Sequence, residues 1–285
     1  MRRRGRAAET TYPEQRRELE RTARLTPVVR NTAVDPISAD GVPSEWVAAP
    51  NVGRRRTLLY LHGGGYSVGS PRSHRPFVSR LSRATRTRAL SVDYRLAPEH
   101  PFPAAVDDAV TAYRWLLEHH ASPERVAVAG DSAGGGLAVA AMVAARDEGL
   151  PMPGALVLIS PWTDLSVSGA SMQTHRGSDP WLDPDGAALA AAVYLGGASP
   201  SNPLASPLFA DLAGLPPTLI VVGTAEILLD DSRRIAERMR TAGVKVVLDE
   251  WPDMLHVFPA FAPYVPQARQ AIRQIGAFVD RRLPA

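Results

Sequence analysis

From Thr57 onward, short apolar runs alternate with longer stretches whose apolar residues recur at three- and four-residue spacing. The runs at 57–61, 89–93, 125–129, 155–159, 218–222 and 244–248 have strand length and are rich in Val, Leu and Ile. The stretches at 104–119, 133–148, 232–242 and 266–281 have helical periodicity, with Val106, Val110, Tyr113 and Leu117 along one stripe. Strands apolar along their whole length must be covered on both faces. The alternation therefore predicts an α/β chain with a mostly parallel central sheet between two helix layers, its topology largely fixed by right-handed crossovers. At 285 residues and 45% hydrophobic, the chain can bury one large core.

Two regions break the alternation. Residues 1–45 read as a charged helix over 13–25 leading into short strands near 28–34 and 42–47, an N-terminal cap ahead of a main domain over 46–285. Residues 164–215 read as an insertion in that domain. They open on a Gly/Ser-rich segment at 166–169, carry one helix over 185–195 and close through Gly196, Gly197, Pro200, Pro203 and Pro207. Ligands bind at the C-terminal edge of a parallel sheet, so both regions are expected to form a lid over that edge.

The absence of cysteine excludes disulfides, thiolate catalysis, iron–sulfur clusters and cysteine-ligated zinc. The formal charge of +3 is local in origin, because residues 1–30 hold nine Arg against four Glu. A basic body suited to nucleic acid is therefore not indicated, and Arg2, Arg3, Arg4 and Arg6 read as a solvated, frayed terminus. Lys245, the only lysine, sits in a strand-like run and is expected to be buried. No apolar region follows the arginines and no run is long enough to span a bilayer, which predicts a soluble, cytoplasmic chain without a membrane partner.

Two segments carry the chemistry. Gly130-Asp-Ser-Ala-Gly134 fits G-x-S-x-G, but with 22 glycines in the chain this pattern arises by chance about one time in ten. Gly65-Tyr-Ser-Val-Gly69 fits it too, so context decides. A nucleophile elbow needs a buried strand before the serine and a helix directly after it, where the helix dipole faces developing negative charge. Ser132 has both, whereas Ser67 runs into Gly69-Ser70-Pro71, read as loop with no helix start behind it. The second segment, His62-Gly-Gly-Gly65, directly follows a strand. Consecutive glycines let two N–H groups face one point; Gly64 and Gly65, joined by Ala133, are the expected oxyanion-hole donors, with Gly63 as spacer.

A serine nucleophile needs a histidine base, and on this kind of sheet the acid and then the base follow the nucleophile in the chain. Beyond Ser132 lie only His175, inside the insertion, and His256, on a loop at a strand end; His256 is the better placed. Glu226, Asp230 and Asp231 are the candidate acids. Position favours Glu226, on the turn after Gly223, because Asp230 and Asp231 stand where a helix N-cap belongs.

These segments resemble the hormone-sensitive lipase family (bacterial family IV) of carboxylesterases. The resemblance runs in order through His62-Gly-Gly-Gly-Tyr66, Asp93-Tyr-Arg-Leu-Ala-Pro-Glu99, Phe102-Pro-Ala-Ala105, Gly130-Asp-Ser-Ala-Gly-Gly135, Ser160-Pro-Trp-Thr-Asp164, Gly214-Leu-Pro-Pro217 and Asp253-Met-Leu-His-Val257, covering residues 26–282. It implies an α/β-hydrolase fold with a helical cap, hydrolysis of short-acyl esters without cofactor or metal, and a possible homodimer. Two departures stand out: the segment before His62 is shorter than the family's by about twenty residues, and Glu226 stands where most members have Asp. Asp93, Arg95 and Glu99 read as loop-tying ion pairs, Asp164 as a brace, and Trp162 and Trp181 as core or pocket wall. The expected reaction is attack by Ser132 on a small-molecule ester through an acyl-enzyme. The same triad also suits an amidase or a deacetylase of an acetylated metabolite, and a non-catalytic ligand-binding homologue is the remaining alternative.

Overall fold

The structure, a computed structural model, describes residues 11–284, so the expectation for Arg2, Arg3, Arg4 and Arg6 lies outside the described residues. Eight strands form one sheet in the order β1-β2-β4-β3-β5-β6-β7-β8. Their ranges are β1 Ala33–Ala39, β2 Val42–Ala48, β3 Thr57–Leu61, β4 Arg88–Val92, β5 Val126–Asp131, β6 Ala155–Ile159, β7 Thr218–Gly223 and β8 Val246–Trp251. β2 pairs antiparallel with β1 and β4, and all other neighbours are parallel. This is the mostly parallel sheet that the alternation predicts. Successive side chains leave opposite faces of a strand. Leu59, Leu61, Val128, Leu158 and Ile220 accordingly enter one core, shared with helices α3 (Ala104–His119), α4 (Ala133–Asp147) and α7 (Leu229–Thr241). Leu58, Tyr60, Val157, Ile159 and Val221 enter the other, shared with α2 (Pro71–Thr85) and α8 (Pro266–Arg282).

The chain leaves β3 for β4 on one side and later returns to β5 on the other. The ends of β3 and β5 therefore flank the crevice where the winding direction reverses, which is where open α/β sheets bind ligands. Beside the glycine loop at this edge lie α1 (Tyr12–Ala23) and α6 (Pro184–Leu195), while the short α5 (Ser171–Thr174) is tied to the segment after β7 by Ser171 Oγ donating to Ile227 O at 2.6 Å. Arg16 of α1 anchors it, donating from Nε to Ser67 O at 2.8 Å, from Nη2 to Ala97 O at 2.8 Å and bidentately to Glu99 at 2.7 and 2.9 Å. The Tyr194 ring of α6 stacks on Tyr66 at 3.7 Å, beside the glycine loop.

Several expectations need correction. The first leading strand lies at Ala33–Ala39 rather than near 28–34; it is an almost wholly exposed edge strand with Pro36 inside it, so it carries no apolar pattern to read. β2 runs through position 45, which puts the boundary between residues 45 and 46 inside the common sheet. Helix α2 was not anticipated and begins directly behind the loop, with Ser70 as N-cap accepting from the Ser73 N–H at 3.2 Å. Its Ser- and Arg-rich sequence and internal Pro76 mask the apolar face formed by Phe77, Val78 and Leu81. Lys245 is exposed, just ahead of β8. Among the described residues no helix is long and apolar enough to cross a membrane.

Candidate active site

Ser132 occupies the turn between β5 and α4 with φ 54° and ψ −124°, a strained left-handed conformation held from both sides. Its N–H donates to Ile159 O at 2.9 Å, and its carbonyl accepts from Trp162 N at 2.9 Å and Gly135 N at 3.0 Å. So tight a turn leaves no room for side chains beside it. A Cβ on Gly130 would sit 2.1 Å from Gly134 O, and one on Gly134 would sit 2.2 Å from Leu61 O and 2.4 Å from His62 O. Gly134 thus seats the start of α4 against the end of β3. Gly134→Ala is expected to cost about 1–3 kcal/mol of stability and about 100-fold in kcat through misplacement of the hydroxyl. Thermal unfolding and kcat measured on one preparation check this; wild-type values for both would contradict the packing.

His256 follows β8 on a loop stitched to the turn after β7, with Thr224 N donating to Trp251 O at 2.9 Å and Ala225 N to Met254 O at 3.0 Å. Its Nε2 stands 2.9 Å from Ser132 Oγ and its Nδ1 3.0 Å from Glu226 Oε1. With the Nδ1 proton donated to the carboxylate, Nε2 is free to accept from the serine hydroxyl. Glu226 is fully buried, and its second oxygen accepts from Ser160 Oγ at 2.7 Å and Gly223 N at 3.1 Å. Ser160 in turn accepts from Val257 N at 3.1 Å, tying the acid to the histidine loop. Ser160 and Asp179, which accepts from Ile227 N at 3.1 Å, escaped the sequence reading. Both come from distant segments, and only a resembling Ser160-Pro-Trp motif hinted at the first.

Burial alone would push His256 down, but the Glu226 carboxylate, helped by Asp179 and Asp131, holds it above its ordinary value. A base must be neutral to take a proton, so the acidic limb of kcat/KM against pH is expected to inflect above about 6.5. An inflection below that value in a pH–rate profile would contradict this electrostatic balance.

The other two carboxylates do different work. Asp231 Oδ2 accepts from Thr163 N at 2.7 Å and Asp164 N at 2.9 Å, and burial pushes its carboxyl up to about 7. Asp230 accepts from Ser171 N at 2.9 Å. Neither is an N-cap, because α7 starts at Leu229 and its cap is Leu228; they brace the loop after β6 instead. Asp164 holds the Ser166 and Ser168 hydroxyls and pairs with Arg234 at 2.8 Å, while Arg95 pairs with Asp108 at 2.7 Å. Trp162 is buried, whereas Trp181 is 60% exposed and stacked on Phe261 at 6.0 Å. His175 lies at the end of α5, and Ser67 Oγ is buried without a hydrogen-bond partner.

The glycine loop is held from beneath. Gly63 N donates to Asp131 Oδ1 at 3.0 Å; the same carboxylate accepts from Tyr60 Oη and faces His74 Nε2 at 3.6 Å. Gly63 therefore spends its N–H on the scaffold, which suits a spacer. Gly64 and Gly65 follow with φ of +123° and +59°, where L side chains are strained. His62 stacks on Tyr94 at 4.3 Å; burial, with His74 nearby, lowers it to about 3, so it is neutral. Asp131, Tyr60 and His74 were also missed by sequence reasoning, since nothing local links β3, α2 and the elbow. Beside Gly64 and Gly65 opens a cleft of about 470 Å³, lined also by Tyr12, Gln15, Leu189 and Ala190.

Comparison with known proteins agrees with this architecture. A family model described as alpha/beta hydrolase fold matches residues 58–260. The chain is 49% identical over 245 residues to an acetyl-hydrolase of Streptomyces hygroscopicus, covering 86% of this chain and 82% of that protein. It is 36% identical over 261 residues to an esterase of Acinetobacter venetianus, covering 91% and 86%. Among solved structures, an esterase from the bacterial hormone-sensitive lipase family superposes with a TM-score of 0.95 at 47% identity, over 97% of this chain and 93% of the other.

Proposed function

This chain belongs to the bacterial hormone-sensitive lipase family of the α/β-hydrolase fold, and on that premise we propose that it is a serine carboxylesterase acting on short-acyl esters of small molecules. The observation that carries the reading is the unbroken chain Ser132 Oγ, His256 Nε2, His256 Nδ1 and Glu226 Oε1, with links of 2.9 and 3.0 Å. Ser132 attacks the ester carbonyl while His256 takes its proton. The N–H groups of Gly64, Gly65 and Ala133 receive the tetrahedral oxyanion. His256 then gives its proton to the leaving alcohol, and a water activated by the same imidazole releases the acid from the acyl-enzyme. Glu226 keeps the imidazole in the productive tautomer and stabilises the imidazolium.

The cleft between α1 and α6 is where we place the substrate, with both helices serving as its lid. Its volume suits a compact ester, so kcat/KM across p-nitrophenyl esters from acetate to palmitate is expected to peak at short chains and to be at least tenfold lower for palmitate. A peak at palmitate would overturn the short-acyl assignment, and no hydrolysis at any length by folded protein would overturn the esterase reading. The acetyl-hydrolase name of the relative at 49% identity supports one narrower reading, deacetylation of an acetylated metabolite. A preference for acetate over butyrate in the same series is what that reading predicts.

A further inference from the structure

Where α2 packs on α8, four arginines line a single cavity of about 420 Å³ whose lining includes none of Ser132, Glu226 and His256. Arg80 and Arg83 come from α2, and Arg269 and Arg273 from α8; Ala84, Ala262, Pro263 and Ile272 give the cavity an apolar floor. Elsewhere the chain pairs its guanidinium groups with carboxylates, as in Arg16–Glu99, Arg56–Asp280, Arg95–Asp108, Arg114–Glu148 and Arg233–Glu250. Among the described residues none of the four cavity arginines has such a partner. Arg80 donates to Pro76 O and Arg269 to Ala262 O at 3.1 Å, both neutral carbonyls, and Arg83 and Arg273 make no hydrogen bond to any described residue.

Four guanidinium groups lining one concavity give it a positive potential, which a bound anion would offset. Burial and then the neighbouring Arg83 lower the Arg80 pKa, with Tyr264 opposing them. Guanidinium groups bind phosphate through paired, charge-assisted hydrogen bonds, and several of them around one cavity match a multiply charged oxyanion better than a single carboxylate. The apolar floor would contact the organic part of such a molecule. We propose that this cavity is a phosphate-binding site, taking a phosphorylated small molecule or a phosphate-bearing lipid headgroup, separate from the ester-hydrolysing centre and independent of the reading given above.

The test compares wild type with the double variant Arg83→Gln and Arg273→Gln, whose two side chains have no protein partner to lose. Thermal unfolding is recorded in sodium pyrophosphate up to about 10 mM and in sodium chloride of equal ionic strength. Sedimentation with phosphatidylcholine vesicles, with and without phosphatidic acid, forms the second arm. The site predicts that pyrophosphate raises the wild-type Tm saturably by about 3 °C beyond chloride, or that the protein sediments only with phosphatidic acid vesicles, and that the double variant loses the response. The first result identifies a soluble phosphate as the ligand and the second a lipid headgroup. Responses equal to those in chloride, or retained in full by the double variant, would overturn the proposal. Hydrolysis of p-nitrophenyl butyrate by the double variant, expected to stay within about twofold of wild type, shows that the fold and the catalytic centre are intact.

Discussion

Replacing Ser132 by alanine is expected to lower kcat on p-nitrophenyl butyrate by about 10⁶-fold while leaving KM within a few-fold and the fold intact. The size follows from what the residue does. In the proposed mechanism its hydroxyl forms the covalent intermediate, and among the described residues it is the hydrogen-bond partner of His256 Nε2, at 2.9 Å. The residual rate, about 10³- to 10⁴-fold over water, would come from the oxyanion donors and from substrate positioning, which the substitution leaves in place. Alanine also suits the site sterically, although φ of 54° remains strained for any residue with a Cβ. A variant within tenfold of wild type would remove Ser132 from the mechanism.

Glu226→Gln is expected to cost about 10³- to 10⁴-fold in kcat, because a neutral amide neither enforces the Nδ1-protonated tautomer nor stabilises the imidazolium. The substitution has a second signature. Burial is the largest single influence on His256 and lowers its pKa; with the Glu226 carboxylate gone, only Asp179 and Asp131 still oppose it. The acidic limb of the pH–rate profile is therefore expected to move to lower pH in the Gln variant, opposite to any effect of simple unfolding. Glu226→Asp keeps the charge but withdraws it by one methylene, which at 3.0 Å from Nδ1 breaks the contact unless the turn moves; a loss of about tenfold in kcat is expected. Because Asp230 and Asp231 are committed to Ser171, Thr163 and Asp164, neither can substitute for the lost carboxylate.

What was legible in the sequence was whatever the local backbone demands. Ser132 could be chosen over Ser67 because a strand before it and an uninterrupted Ala- and Gly-rich helix after it are both visible in the chain. The tandem glycines announced themselves because few other residues tolerate the φ values of Gly64 and Gly65. Glu226 emerged from its place on a turn, and His256 from chain order. The parts that stayed hidden depend on distant segments meeting. Asp131 serves the glycine loop only because β5 lies beside β3, and Ser160 links Glu226 to Val257 only because β6 lies beside β7. Helix α2 and strand β1 were obscured for a different reason. One has a polar composition with an internal proline, and the other is exposed along nearly its whole length.

The most direct test of the account is to treat the protein with one equivalent of diethyl p-nitrophenyl phosphate and follow p-nitrophenolate release, intact mass and the labelled peptide. Attack by Ser132 Oγ forms a P–O bond and expels p-nitrophenolate, with His256 taking the hydroxyl proton. The account predicts release of one p-nitrophenolate per chain and one diethylphosphoryl group on Ser132, both absent in Ser132→Ala, with complete loss of the wild-type esterase activity. A label on any other residue, or full labelling of Ser132 with activity retained, would contradict it.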